Sequence, residues 1–77
     1  EQKEFEQLIE NALKALDDIE TIKQLEKVNN DLQEENKMLE MSINPADKLK
    51  IISNNQTIKQ NKEQITMINA KIIQNWE

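Results

Sequence analysis

The sequence predicts an all-α coiled coil, folded as a two-helix hairpin that dimerises into a four-helix bundle. Three observations carry that expectation. Apolar residues recur at intervals of three and four, glycine is absent, and charge divides unequally between the two halves of the chain. The alternative with the same composition is a long parallel two-stranded coiled coil.

A chain of 77 residues encloses little core by itself, and chains this short are usually stabilised by disulfides, a metal or a partner. Cysteine and histidine are both absent, which excludes disulfides and the commonest zinc and iron sites. Association is the route that remains. Without glycine, and with Pro45 as the only proline, the chain lacks the residues that punctuate loop-rich and β-rich folds. Val28 is the only valine, and Phe5 and Trp76 are the only aromatic residues, so a strand core has little to draw on.

One boundary divides the chain. In Asn44-Pro45-Ala46-Asp47 an oxygen-bearing N-cap residue precedes proline at the first helical position and an acid at the third. The acid meets the positive end of the helix dipole, and the residue before proline resists the helical conformation. The whole chain, 1–77, therefore reads as a single coiled-coil segment. Its first helix runs over about 3–42, a break follows near 43–44, and the second helix covers about 45–76.

Within the first helix, Leu25, Leu32 and Leu39 fall every seven residues. Placing them at heptad position d puts Ile22, Asn29, Asn36 and Ile43 at a. This stretch resembles a leucine zipper with buried asparagines. It lacks an upstream basic region, because Asp17, Asp18 and Glu20 occupy that ground. Earlier in the helix the apolar face widens to include Phe5, Leu8, Ile9, Ala12, Leu13, Ala15, Leu16 and Ile19, a breadth suited to a bundle. The step from Ile22 to Leu25 departs from the wider pattern, and a local change of winding is expected there. The second helix has its own row, Ile51, Ile58, Ile65 and Ile72, which sets Asn54, Asn61, Ile68 and Asn75 at d.

Charge separates hairpin from rod. Residues 1–43 hold 12 acids and 5 lysines, and residues 44–77 hold 3 acids and 5 lysines, giving net charges of −7 and +2. In a parallel rod dimer the acidic helix lies against its own copy, whereas folding back lays it against the basic one. Each exposed pair contributes only about 0 to 1 kcal/mol, yet the sign favours the hairpin. A turn near residue 43 brings Ile22 level with Ile65, Ile19 with Ile68 and Ala15 with Ile72. At roughly 1.5 Å per residue a hairpin spans about 60 to 65 Å and a rod about 115 Å.

Catalysis finds no support in the residue types. Asp17/Asp18 and Glu34/Glu35 are sequence neighbours that diverge by about 100° on a helix, and acid–base chemistry needs carboxylates that converge in a pocket. Ser42, Ser53, Thr21, Thr57 and Thr66 have no histidine to activate them. The chain is expected not to be an enzyme, with no cofactor, metal or small-molecule substrate. Lys48, Lys50, Lys59, Lys62 and Lys71 make the second helix mildly basic, but arginine is absent and direct nucleic-acid contact is not expected. Asn55-Gln56-Thr57 matches a glycosylation acceptor, a pattern common by chance in a chain with ten asparagines. No apolar run reaches the length of a membrane span, so membrane insertion is not expected. The first residue is Glu1, from which a piece of a longer protein is expected. The lack of cysteine points to an intracellular setting, cytoplasm or nucleus.

The functional expectation is a non-catalytic oligomerisation and scaffolding module. Its association seam is formed by Leu8, Ala12, Ala15, Ile19, Ile22, Leu25, Asn29, Leu32, Asn36, Leu39 and Ile43 with Ile51, Ile58, Ile65, Ile68 and Ile72. The expected partner is a second copy, in a homodimer, together with another protein. Phe5, Met38, Met41, Met67 and Trp76 are candidates for that other protein's contact surface. A dimeric binding module and a stalk in a membrane-fusion or receptor assembly are the other two readings. If the seam is as drawn, Leu32→Asp or Ile65→Asp dissociates the assembly in a mass measurement, and Glu34→Gln leaves it unchanged.

Overall fold

The computed structural model describes residues 2–76, with side chains through residue 75. It is an extended helical hairpin, α1 (Gln2–Glu40) and α2 (Pro45–Trp76), 65 Å long and 14 by 12 Å across. There is no strand among the described residues.

The turn shows how a chain without glycine reverses direction. No described residue takes a positive φ, so the left-handed residue that ends many helices is not used. Instead α1 tightens: Met41 N–H donates to the carbonyl of Met38 and Ser42 N–H to that of Leu39, satisfying carbonyls that a helix end would leave free. This tightening ends α1 at Glu40, two residues before the expected stop. Asn44 then caps α2. Its Oδ1 accepts the Ala46 N–H at 3.0 Å, and its carbonyl accepts the Asp47 N–H at 3.1 Å. Ser42 Oγ closes the corner by accepting the Asn44 N–H at 3.2 Å.

Two cross-helix contacts define the register. Asn61 bonds Asn29 and Asn54 bonds Asn36, so seven residues forward along α1 match seven back along α2. This register sets Ile22 level with Ile68, Leu25 with Ile65, Leu32 with Ile58 and Leu39 with Ile51. The sequence-based alignment of Ile22 with Ile65, Ile19 with Ile68 and Ala15 with Ile72 is therefore corrected by three residues. The reason is geometric. Heptad steps alternate three and four, and when one helix is reversed the steps match only if each a layer faces a d layer of the other helix. The earlier alignment set a against a.

Candidate association surfaces

The least exposed positions trace one seam on each helix. Apart from Glu35, which is partly covered beside Asn36, these are Asn11, Ala15, Asp18, Ile22, Leu25, Asn29, Leu32, Asn36 and Leu39 on α1, and Asp47, Ile51, Asn54, Ile58, Asn61, Ile65, Ile68, Ile72 and Asn75 on α2. Both sets alternate steps of three and four without interruption. The expected change of winding near Ile22–Leu25 is not needed, because the seam keeps its spacing by taking in Asn11 and Asp18 while the apolar residues turn off it. The core is thin. Ile22 and Ile58 are its buried apolar side chains, and Asn29, Asn36 and Asn54 are buried beside them.

The asparagines form two rungs on either side of the Leu32–Ile58 layer. In one, Asn61 Nδ2 donates to Asn29 Oδ1 at 2.9 Å. In the other, Asn54 Nδ2 donates to Asn36 Oδ1 at 2.9 Å and to Glu35 Oε1 at 3.0 Å, while Asn36 Nδ2 donates to Asn55 Oδ1 at 3.0 Å. Both N–H bonds of the Asn54 amide thus find acceptors. Sequence reasoning named these asparagines singly, and the fold-back pairs them. A slip of one heptad would keep a single asparagine pair. The displaced asparagines would face Ile22 and Asp47 in one direction, or Ile68 and Ile43 in the other. A buried amide without a partner costs about 1 to 3 kcal/mol, so two rungs discriminate against slippage in both directions.

Glu35 anchors the second rung at the surface. Its carboxyl is held below the ordinary carboxylate range, first by the hydrogen bond from Asn54, then by the hydrogen bond and charge of Lys50, with desolvation opposing. Lys50 Nζ stands 3.4 Å from Glu35 Oε1, and both side chains are substantially exposed.

At the open end the seam is poor. Ala15 is small, and Asp18 carries a carboxylate oxygen shielded from water with no hydrogen-bond partner among the described residues. Asn11 Nδ2 donates to the Asn75 carbonyl at 3.1 Å, capping one of the last carbonyls of α2 from the other helix. Three residues expected in the seam, Leu8, Ala12 and Ile19, are exposed in the hairpin, and Ile43 is 98% exposed in the turn.

The apolar residues of this region line a second stripe. Phe5, Ile9, Ala12, Leu16 and Ile19 follow steps of four and three at positions about 100° around α1 from the seam, with Leu13 beside them. All are exposed, from 42% at Ile19 to 65% at Phe5 among the large ones. Farther along α1 the same positions are Lys23, Glu26, Asn30, Gln33, Lys37 and Glu40, every one polar and exposed. The outward stripe is therefore a bounded patch at the open end. A signal for it was legible in the breadth of the early apolar face, but which half of that breadth turns outward follows only from the position of α2.

The candidate contacts for a different protein are not gathered into one patch. Phe5 lies at the open end, Met38 and Met41 near the turn, and Met67 on α2, all exposed, while the Trp76 side chain lies outside the described residues. Other polar groups are engaged locally. Thr21, Thr57 and Thr66 each donate to the carbonyl four residues back, and Asn55 accepts from Asn36. Among the described residues no group of three or more acidic side chains is placed to hold a metal ion, and no helix is long and apolar enough to cross a membrane. No protein-family model, curated protein or solved structure matches the chain.

Two outcomes follow from the rungs. Asn36→Leu alone takes one acceptor from the buried Asn54 amide and lowers stability by about 1 to 3 kcal/mol in denaturant unfolding, whereas Asn36→Leu with Asn54→Leu recovers most of that loss and relaxes the register. The lowered Glu35 pKa means that its contribution is present above the unfolded carboxylate pKa of about 4.3 and is lost as pH falls through the folded value. Thermal melts of Glu35→Gln should fall below wild type at neutral pH and converge with it in strong acid.

Proposed function

We propose that the chain is a non-catalytic self-association module, in which two hairpins pair into a four-helix assembly and so hold together the polypeptides that carry them. The observation that supports this reading is the poverty of the core. A hairpin with Ile22 and Ile58 as its buried apolar side chains leaves Phe5, Leu8, Ile9, Leu13 and Leu16 in water. Two-helix units of this size gain stability by covering such surface with further helices.

A second reading, a binding module for a different protein, draws on another observation. Met38, Met41, Ile43 and Leu49 are exposed near the turn, at the end of the hairpin opposite the outward stripe. Methionine-rich surfaces adapt to varied partners. The two readings are compatible because they use opposite ends.

Sedimentation equilibrium over a concentration series tests the first reading. The expected result is a reversible shift from the 9.1 kDa chain to a species of twice that mass, with a melting temperature that rises with concentration. A helical chain that keeps the monomer mass at every concentration would exclude it.

A further inference from the structure

We propose that two copies meet through the outward stripe of α1, running antiparallel and overlapping only at their open ends, rather than side by side along their whole length. This inference rests on the self-association reading and specifies its geometry.

Six apolar side chains, Phe5, Ile9, Ala12, Leu13, Leu16 and Ile19, are exposed on one face of α1. Side chains of this size, about half exposed, present on the order of 600 Å², at the top of what a monomer normally leaves uncovered. Burying two such patches against each other removes on the order of 1,200 Å² from water, the lower bound of a specific stable interface.

The stripe is also self-complementary. A two-fold axis requires that residue i meet j while j meets i. The stripe repeats steps of three and four, so reversing one copy again pairs unlike heptad positions. One such register sets Phe5 against Leu16 and Ile9 against Ala12, each layer occurring twice about the axis. A large side chain then lies opposite a large one in the Phe5–Leu16 layers, the small Ala12 receives Ile9 at the centre, and Ile19 meets Gln2 at the margins. The register one heptad away would set Phe5, the most exposed of the large ones, against Lys23.

Charge decides between the two arrangements. A parallel, side-by-side dimer would continue the contact into Lys23, Glu26, Lys37 and Glu40, each facing its own copy, and would align two helices that both carry excess acid. Like charges directly opposed are destabilising. The antiparallel overlap ends where the stripe ends, so these residues stay in water. Some repulsion remains from Glu6, Glu10, Asp17 and Glu20, which flank the patch. Screening that repulsion means that salt strengthens the dimer, whereas a basic partner docked on the same patch would be released by salt.

The absence of native cysteine makes the test clean. A Phe5→Cys chain is mixed with a Leu16→Cys chain under oxidising conditions, and cross-linking is compared with that of each chain alone. Small-angle scattering supplies the length of the dimer. The expected result is a disulfide formed mainly in the mixture, and a dimer of roughly 100 Å, given about 1.5 Å per residue of overlap. Leu16→Lys should raise the dissociation constant by about a hundredfold or more, because a buried unpaired charge is costly, with helical circular dichroism unchanged. Leu49→Lys, an exposed apolar position near the turn, should leave the mass unaltered. A dimer of about 65 Å that cross-links Phe5→Cys chains to one another would overturn the antiparallel overlap in favour of the side-by-side bundle. A dimer indifferent to Leu16→Lys would remove the stripe from the interface while leaving self-association standing. A helical monomer at all concentrations would remove both proposals.

Discussion

The structure depends on one constraint: two rungs of asparagine, three of the four side chains buried, that are satisfied only when α1 and α2 face each other in a single alignment. Apolar layers alone would hold the helices together with little regard for register, since Ile and Leu fill neighbouring layers with similar energies. An amide tolerates burial only where its partner stands within about 3 Å. Asn29 and Asn36 on one helix and Asn54 and Asn61 on the other therefore convert a generic attraction into a specific pairing. The turn is built to suit, with Ser42 and Asn44 supplying the side-chain acceptors that a glycine-free reversal needs.

Specificity of this kind takes up volume that apolar side chains would otherwise fill. Four of the six seam positions in the Leu32–Ile58 layer and the rungs beside it are polar, and the open end adds Asn11, Ala15 and the Asp18 oxygen that has no partner among the described residues. The hairpin is consequently well specified and thinly packed. Its apolar residues are not scarce, since Phe5, Ile9, Leu13 and Leu16 would make a respectable core. They are simply turned away from α2. Register is set by polar contacts in the middle of the hairpin, and unsatisfied apolar surface is concentrated at one end.

Much of the fold was legible before the structure. The Leu25, Leu32, Leu39 row and the Ile51, Ile58, Ile65, Ile72 row both lie in the seam, because a heptad repeat this regular has one helical solution. The chemistry around Pro45 marked the start of α2 for the same reason: proline without its N–H belongs in a first helical turn. Less accessible were the end of α1, which depends on how the last turn tightens, and the alignment across the hairpin, where a three-residue difference changes every pair. Leu8, Ala12 and Ile19 share the helical spacing of the seam residues yet are not covered by α2. Spacing places residues on a face without saying what that face meets.

By itself, then, the sequence determined that the chain is helical, where it breaks, and which residues share a stripe, since these follow from backbone preferences and from the period of the α-helix, which act over a few neighbours. Only the tertiary structure decided which stripe is covered and which is left in water, and which asparagine answers which. Those outcomes depend on the position of a second helix, and that position is set by hydrogen bonds between residues 18 to 32 apart in the chain.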